Sequence, residues 1–150
     1  MTAWKTSFGF AAGLVALLAL APAHAADWQG GDPEKGEKVF RKCMACHIVA
    51  KDGPKKIGPN LYGVFGRTAG TGDYDRYSKA NHEAGEHGLV WGGATLFAYL
   101  ENPRKYIPGT TMAFAGLKKE DDRRNLIAYL AKEGGAPTPI PAGTPASKSE

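Results

Sequence analysis

The stretch "KCMACH", Lys42 to His47, holds both cysteines of this 150-residue chain. Two residues separate them, and a histidine follows at once. Three chemistries use so close a pair: a redox disulfide, half of a zinc site, or two thioether bonds to a haem. Just upstream, Asp32-Pro33-Glu34 reads as a helix start, a capping carboxylate and then proline at the first helical position. Gly36, Phe40 and Cys43 fall at helical spacing on one face. The spacing predicts a helix from Pro33 to about Cys43 that delivers the motif at its end. A redox-active pair wants a strand before it and a βαβ context, and here a helix precedes it. Zinc wants more ligands, yet no second cysteine pair exists and His82 and His87 fall in a polar stretch. C-x-x-C-H is the attachment signature of a c-type haem, with Cys43 and Cys46 as thioether tethers. His47 is then the proximal iron ligand. Its other ring nitrogen wants an acceptor, for which a carbonyl of the Gly58-Pro59 loop is a candidate.

The N-terminus bounds the setting. Lys5 is the only charge before Asp27, an apolar run spans Phe8 to Ala21, and Ala23 and Ala25 have A-x-A spacing. That is the pattern of a secretory signal, and the run is shorter than the ~20 apolar residues of a spanning helix. Residues 1–25 are expected to be a cleaved signal peptide, with export to the periplasm as the destination. The formal net charge of +4 suits a partner with an acidic surface more than a nucleic acid.

Downstream, residues 50 to 76 hold repeated Gly and Pro and read as a long loop, which in a compact domain usually signals function. Residues 78 to 86 form a candidate short helix. Gly93 to Asn102 is a clearer one, with Leu96, Phe97 and Leu100 as its apolar stripe and Pro103 as its stop. "PRKYI" reads as one further turn, and "YIPGTTMAF" as extended or turning. The last helix opens on Glu120, Asp121 and Asp122 at the positive end of its dipole. It buries Leu126, Ile127, Tyr129 and Leu130, and stops at Gly134. Residues 135–150 are rich in Pro, Ala, Thr and Ser without an apolar period and are expected to be a flexible tail. No alternating strand pattern is present. The expected fold is all-α: a haem domain over 26–134, helices and long loops wrapped around one covalently attached haem.

The sixth iron ligand follows by elimination. Beyond the leader the chain has two methionines; Met44 lies inside the motif, and Met112 lies in an irregular segment able to lay a thioether on a flat face. His82 or His87 is the bis-histidine alternative. Ligation by His and Met raises the potential relative to more basic ligands.

"GDPEKGEKVFRKCMACH", "GPNLYGVFGRTAG" and "LENPRKYIPGTTMAFAGLKK" together resemble class I cytochrome c, of the mitochondrial type and its periplasmic bacterial relatives. The resemblance covers about Gly31 to Glu133. It implies that the Pro59 carbonyl accepts from His47, and that Arg67, Tyr77 and Trp91 contact the haem propionates. It also implies that Asn81 and Thr110 join that polar network, and that Tyr106 donates to the sulfur of Met112. Gly36 and Phe40 would pack on Leu126 and Tyr129. The segment from Asn81 to Trp91 is longer than the mitochondrial pattern, and Thr111 stands where that pattern has lysine. The implied function is that of a soluble, monomeric one-electron carrier, not an enzyme. It would run between a membrane quinol-oxidising complex and a terminal oxidase, reaction centre or periplasmic reductase. No small-molecule substrate is implied. Lys42, Lys55, Lys56, Lys79, Arg104, Lys105 and Lys118 flank the segments that would rim the haem edge, where positive charge steers encounter with acidic partners. A haem peroxidase or gas sensor would need an open sixth position, and a thiol–disulfide oxidoreductase would carry no haem.

Overall fold

A computed structural model of the chain describes residue 1, residues 28–54 and residues 56–147. The expected signal peptide and Lys55 lie outside the described residues. Five helices occur in them: α1 (Pro33–Phe40), α2 (Lys79–Glu86), α3 (Gly93–Glu101), α4 (Pro103–Tyr106) and α5 (Glu120–Glu133). Among the described residues no β-strand forms; only isolated bridges join Thr68 to Val90 and Val90 to Thr144. The all-α expectation holds. No described helix is long and apolar enough to cross a membrane.

The Asp32 side chain caps α1, accepting from the N–H of Glu34 and Lys35. The helix ends at Phe40, earlier than the expected Cys43. From there the chain tightens into turns, with Cys43 N–H bonded to Phe40 O at 2.7 Å and His47 N–H to Cys43 O at 2.8 Å. The cysteine–histidine motif therefore sits on this coil, not in the helix. The loop from 50 to 76 is irregular, as its Gly and Pro content dictates.

α1 crosses α5 at Gly36. A Cβ there would lie 2.0 Å from Asn125 O and 2.6 Å from Tyr129 Cβ, so only glycine lets the backbones approach so closely. Phe40 and Tyr129 complete the crossing, with ring centroids 5.2 Å apart. α5 buries Leu126, Ile127 and Leu130 almost completely. Trp91, together with Leu96, Tyr99 and Leu100 of α3, adds the second wall of the core. Arg123 is also buried. Its Nη1 donates to Leu117 O at 2.7 Å and Lys118 O at 3.1 Å, and its guanidinium lies 4.3 Å from the Phe97 ring centroid.

The segment expected as a flexible tail is corrected by the structure. Residues 136–147 run back along the body, where Val90 and Thr144 exchange both backbone hydrogen bonds, at 2.8 and 3.0 Å. Ala136 and Ile140 pack against the core. The segment is held chiefly through backbone groups, which leave no apolar period to read.

Candidate functional site

One cleft of about 530 Å³ opens between the motif, α3, α5 and the segment after α4. Cys43, Cys46, His47 and Met112 all line it. Its walls are largely apolar, from Phe40, Leu61, Val64, Leu96, Leu100, Phe114, Leu126 and Leu130. Cys43 and Cys46 are not joined to each other in a disulfide. Among the described residues no group of three or more His, Cys, Asp or Glu stands together as a metal site would.

His47 is fixed from behind. Its Nδ1 lies 2.8 Å from Pro59 O, and a carbonyl can only accept, so Nδ1 carries the proton. Nε2 then keeps its lone pair, the state a metal ligand needs. Burial lowers the His47 pKa, which favours the neutral ring. The loop passes so close that a Cβ on Gly58 would lie 2.6 Å from His47 Cε1.

Polar groups gather on one side. Thr110 Oγ1 donates to Asn81 Oδ1 at 3.2 Å, and Ser78 Oγ donates to the same oxygen at 2.8 Å. Arg67 donates to the carbonyls of Asn60 and Tyr62, and Tyr77 O–H to Thr71 O at 2.7 Å. Burial raises the Tyr77 pKa. Arg67, Tyr77, Asn81, Trp91 and Thr110 all line the cleft together with Pro59. A buried carboxylate needs hydrogen bonds and a cation, and this edge offers both.

Tyr106 is placed differently from the expectation. The hydroxyl that donates to Met112 Sδ, at 3.1 Å, belongs to Tyr99, and Tyr99 lines the cleft whereas Tyr106 does not. Tyr106 stands edge-on to Tyr99, with ring centroids 5.9 Å apart. The helical spacing of Tyr99 from Leu96 on the buried face of α3 was the available signal. Burial pushes the Tyr99 phenol up to about 12, so it stays a donor at neutral pH.

The basic residues are disposed unevenly. Lys42 pairs with Asp122 at 3.5 Å and Lys79 with Glu83 at 3.1 Å. Lys118 Nζ donates to Glu101 O at 2.7 Å, and Lys56 Nζ to Met44 O. Arg104 and Lys105 lie exposed on α4.

Two thiols, an oriented imidazole and a thioether around one apolar cleft fit a covalently held haem. The fold and site define a c-type haem protein. Residues 33–133 match the sequence profile of the family described as cytochrome c. Among curated proteins, the chain is 56% identical over 101 residues to "Cytochrome c" of Theileria annulata, covering 67% of this chain and 84% of that one. It is 53% identical over 106 residues to "Cytochrome c" of Chlamydomonas reinhardtii, covering 70% and 92%. With "Cytochrome c 2.1" of Caenorhabditis elegans the identity is 52% over 108 residues, covering 71% and 94%. The chain belongs to the cytochrome c family. It is an electron carrier with protein redox partners, holds haem c covalently, and is not an enzyme. The expected periplasmic destination is corrected by these matches: the relatives come from eukaryotes, which have no periplasm.

Proposed function

We propose that the chain shuttles single electrons between a membrane quinol-oxidising complex and a terminal acceptor, with His47 and Met112 as the residues that would hold the haem iron. The observation that carries this reading is the convergence of Cys43, Cys46, His47 and Met112 on one cleft. The haem supplies the one-electron couple. The chain supplies the tethers and ligands, and a largely apolar pocket that limits water. Pro59 holds the proton of His47 on Nδ1. Tyr99 donates to Met112, which keeps its sulfur aimed and a weaker electron donor. Arg67, Tyr77, Asn81, Trp91 and Thr110 hold the propionates. The haem domain spans residues 26–134.

Docking uses the rim of the cleft. Ile57, which lines the cleft, and Met44, inside the motif, are large apolar side chains left exposed. Lys42 also lines the cleft, and Lys56, Lys79, Arg104, Lys105 and Lys118, with Lys55 by its place in the sequence, are the further candidates for contact with a partner. Positive charge there raises the encounter rate with acidic partners, and the chain works as a monomer.

A visible and near-infrared spectrum of the oxidised protein, with a redox titration, tests the assignment. The methionine–iron band is expected, and Met112→His should abolish it while lowering the potential. An unchanged potential would show that Met112 is not the ligand.

A further inference from the structure

The first turn of α3 has no side chain at its N-cap, which is Gly92. Its first internal backbone bond is Leu96 N–H to Gly92 O. The N–H groups of Gly93, Ala94 and Thr95 therefore lack partners within the helix, as at any helix start. Two tail carbonyls supply them. Gly93 N–H donates to Pro141 O at 2.8 Å, and Ala94 and Thr95 N–H donate to Ala142 O at 2.9 and 3.3 Å. Those carbonyls also set partial negative charge against the positive end of the helix. Beside them lies the Val90–Thr144 pair, and Ser147 N–H donates to His87 O at 2.7 Å.

The fit demands glycine on both sides. A Cβ on Gly92 would lie 2.2 Å from Gly143 N. One on Gly143, whose φ is +87°, would lie 2.4 Å from Thr95 Oγ1. These tail residues lie beyond the 33–133 segment that matches the family.

α3 carries Leu96, Tyr99 and Leu100 into the cleft, and Tyr99 donates to Met112 Sδ. We propose that residues 136–147 are a positioning strap: the Pro141 and Ala142 carbonyls cap α3 and thereby hold Tyr99 against Met112 on the sixth-ligand side of the haem. This rests on the reading of Met112 as axial ligand. An uncapped first turn frays, Tyr99 one turn further on loses its fixed register, and Met112 becomes easier to displace.

The test uses the haem-loaded full-length protein and three variants, Gly143→Val, Gly92→Leu and Gly92→Asp. Leu and Asp at position 92 are similar in shape and both displace Gly143, but only Asp supplies a side-chain cap. The readouts are the near-infrared methionine–iron band, azide affinity of the ferric protein, and amide exchange at Gly93, Ala94 and Thr95. Gly143→Val and Gly92→Leu should bind azide roughly five- to tenfold more tightly and lose protection at the three amides, the scale of a lost cap. Gly92→Asp should stay within about twofold of the unmodified protein and keep the protection at Ala94 and Thr95, the amides an N-cap side chain reaches, while losing it at Gly93. Equal azide affinity in the Leu and Asp variants would overturn the proposal, and this pair decides alone if Gly143→Val fails to accumulate. A band missing from the unmodified protein would sink the Met112 assignment and the strap's role with it. A band present there, with azide affinity unmoved by Gly92→Leu, would overturn the strap alone.

Discussion

At the scale of single residues, the two tyrosines of the α3–α4 region have separate duties. Tyr99 O–H meets Met112 Sδ at 3.1 Å, while Tyr106 touches Tyr99 only through its ring. A donor on the sulfur draws electron density from it and favours the reduced state. Tyr99→Phe should therefore lower the potential by an amount on the order of tens of millivolts, since a hydrogen bond is worth about 1 kcal/mol. Tyr106→Phe should leave it nearly unmoved, and equal shifts in a redox titration would refute this division. The same phenol predicts a pH effect. Its folded pKa, about 12, exceeds the ordinary value of 10.0. The folded state thus keeps a proton the unfolded chain has lost, so this contribution to stability is present below pH 10 and fades as pH rises toward 12. Denaturant midpoints should fall more steeply across that window in the unmodified protein than in Tyr99→Phe. The choice between Tyr99 and Tyr106 was only half legible in the sequence: the spacing from Leu96 puts Tyr99 on the buried face of α3, but only the path of the chain after α4 brings Met112 Sδ to its hydroxyl.

At the scale of elements, the α1–α5 crossing is the contact most sensitive to a single carbon. The backbone of Asn125 stands where a side chain on Gly36 would go, and backbone cannot swing aside as a long side chain can. Gly36→Ala should cost about 1–3 kcal/mol in chemical denaturation, as overpacking does. Leu126, 1% exposed and lining the cleft, should cost about 2–5 kcal/mol as Leu126→Ala. A smaller loss for both would mean that the two helices separate without strain. Element boundaries were legible where side chains mark them: Asp32 and Pro33 at the start of α1, the acidic turn opening α5, and Pro103 after α3. Ser78 caps α2, its Oγ accepting from Asn81 N–H; that cap and the Arg123 contacts with carbonyls and Phe97 were not legible, since a lone serine or arginine carries no pattern. The tail was misread for a related reason. Its carbonyls cap α3, and a carbonyl is the same on every residue.

At the scale of the whole molecule, the excess of positive charge predicts how an acidic partner would be met. Electron-transfer rates with an acidic redox partner should fall as salt rises past about 0.1 M, where the Debye length is ~10 Å. Lys105→Glu should slow the low-salt rate severalfold and leave the high-salt rate little changed. Lys42→Gln should have the smaller effect on rate, because Lys42 already faces Asp122. A rate flat across ionic strength in stopped-flow measurements would remove steering from the account. The cysteine–histidine motif and Met112, which the structure brings to one cleft, stood out in the sequence because covalent and coordinate bonds demand particular atoms in order. The destination was misjudged because an N-terminal apolar run names a route only by pattern, and relatives from eukaryotes overrule it.

Both ends of the described body meet at one turn. The Trp28 ring lies against Gly93, where an added Cβ would come within 2.2 Å of it, and the far end of the chain is bonded to the same residue and the next two. A pull applied between the ends would load the Ser147–His87 and Thr144–Val90 bonds and then that turn, in shear across a few backbone hydrogen bonds. The crevice behind it would feel the force only after they had parted. Mechanically, the described body is a closed loop with its clasp at the first turn of α3.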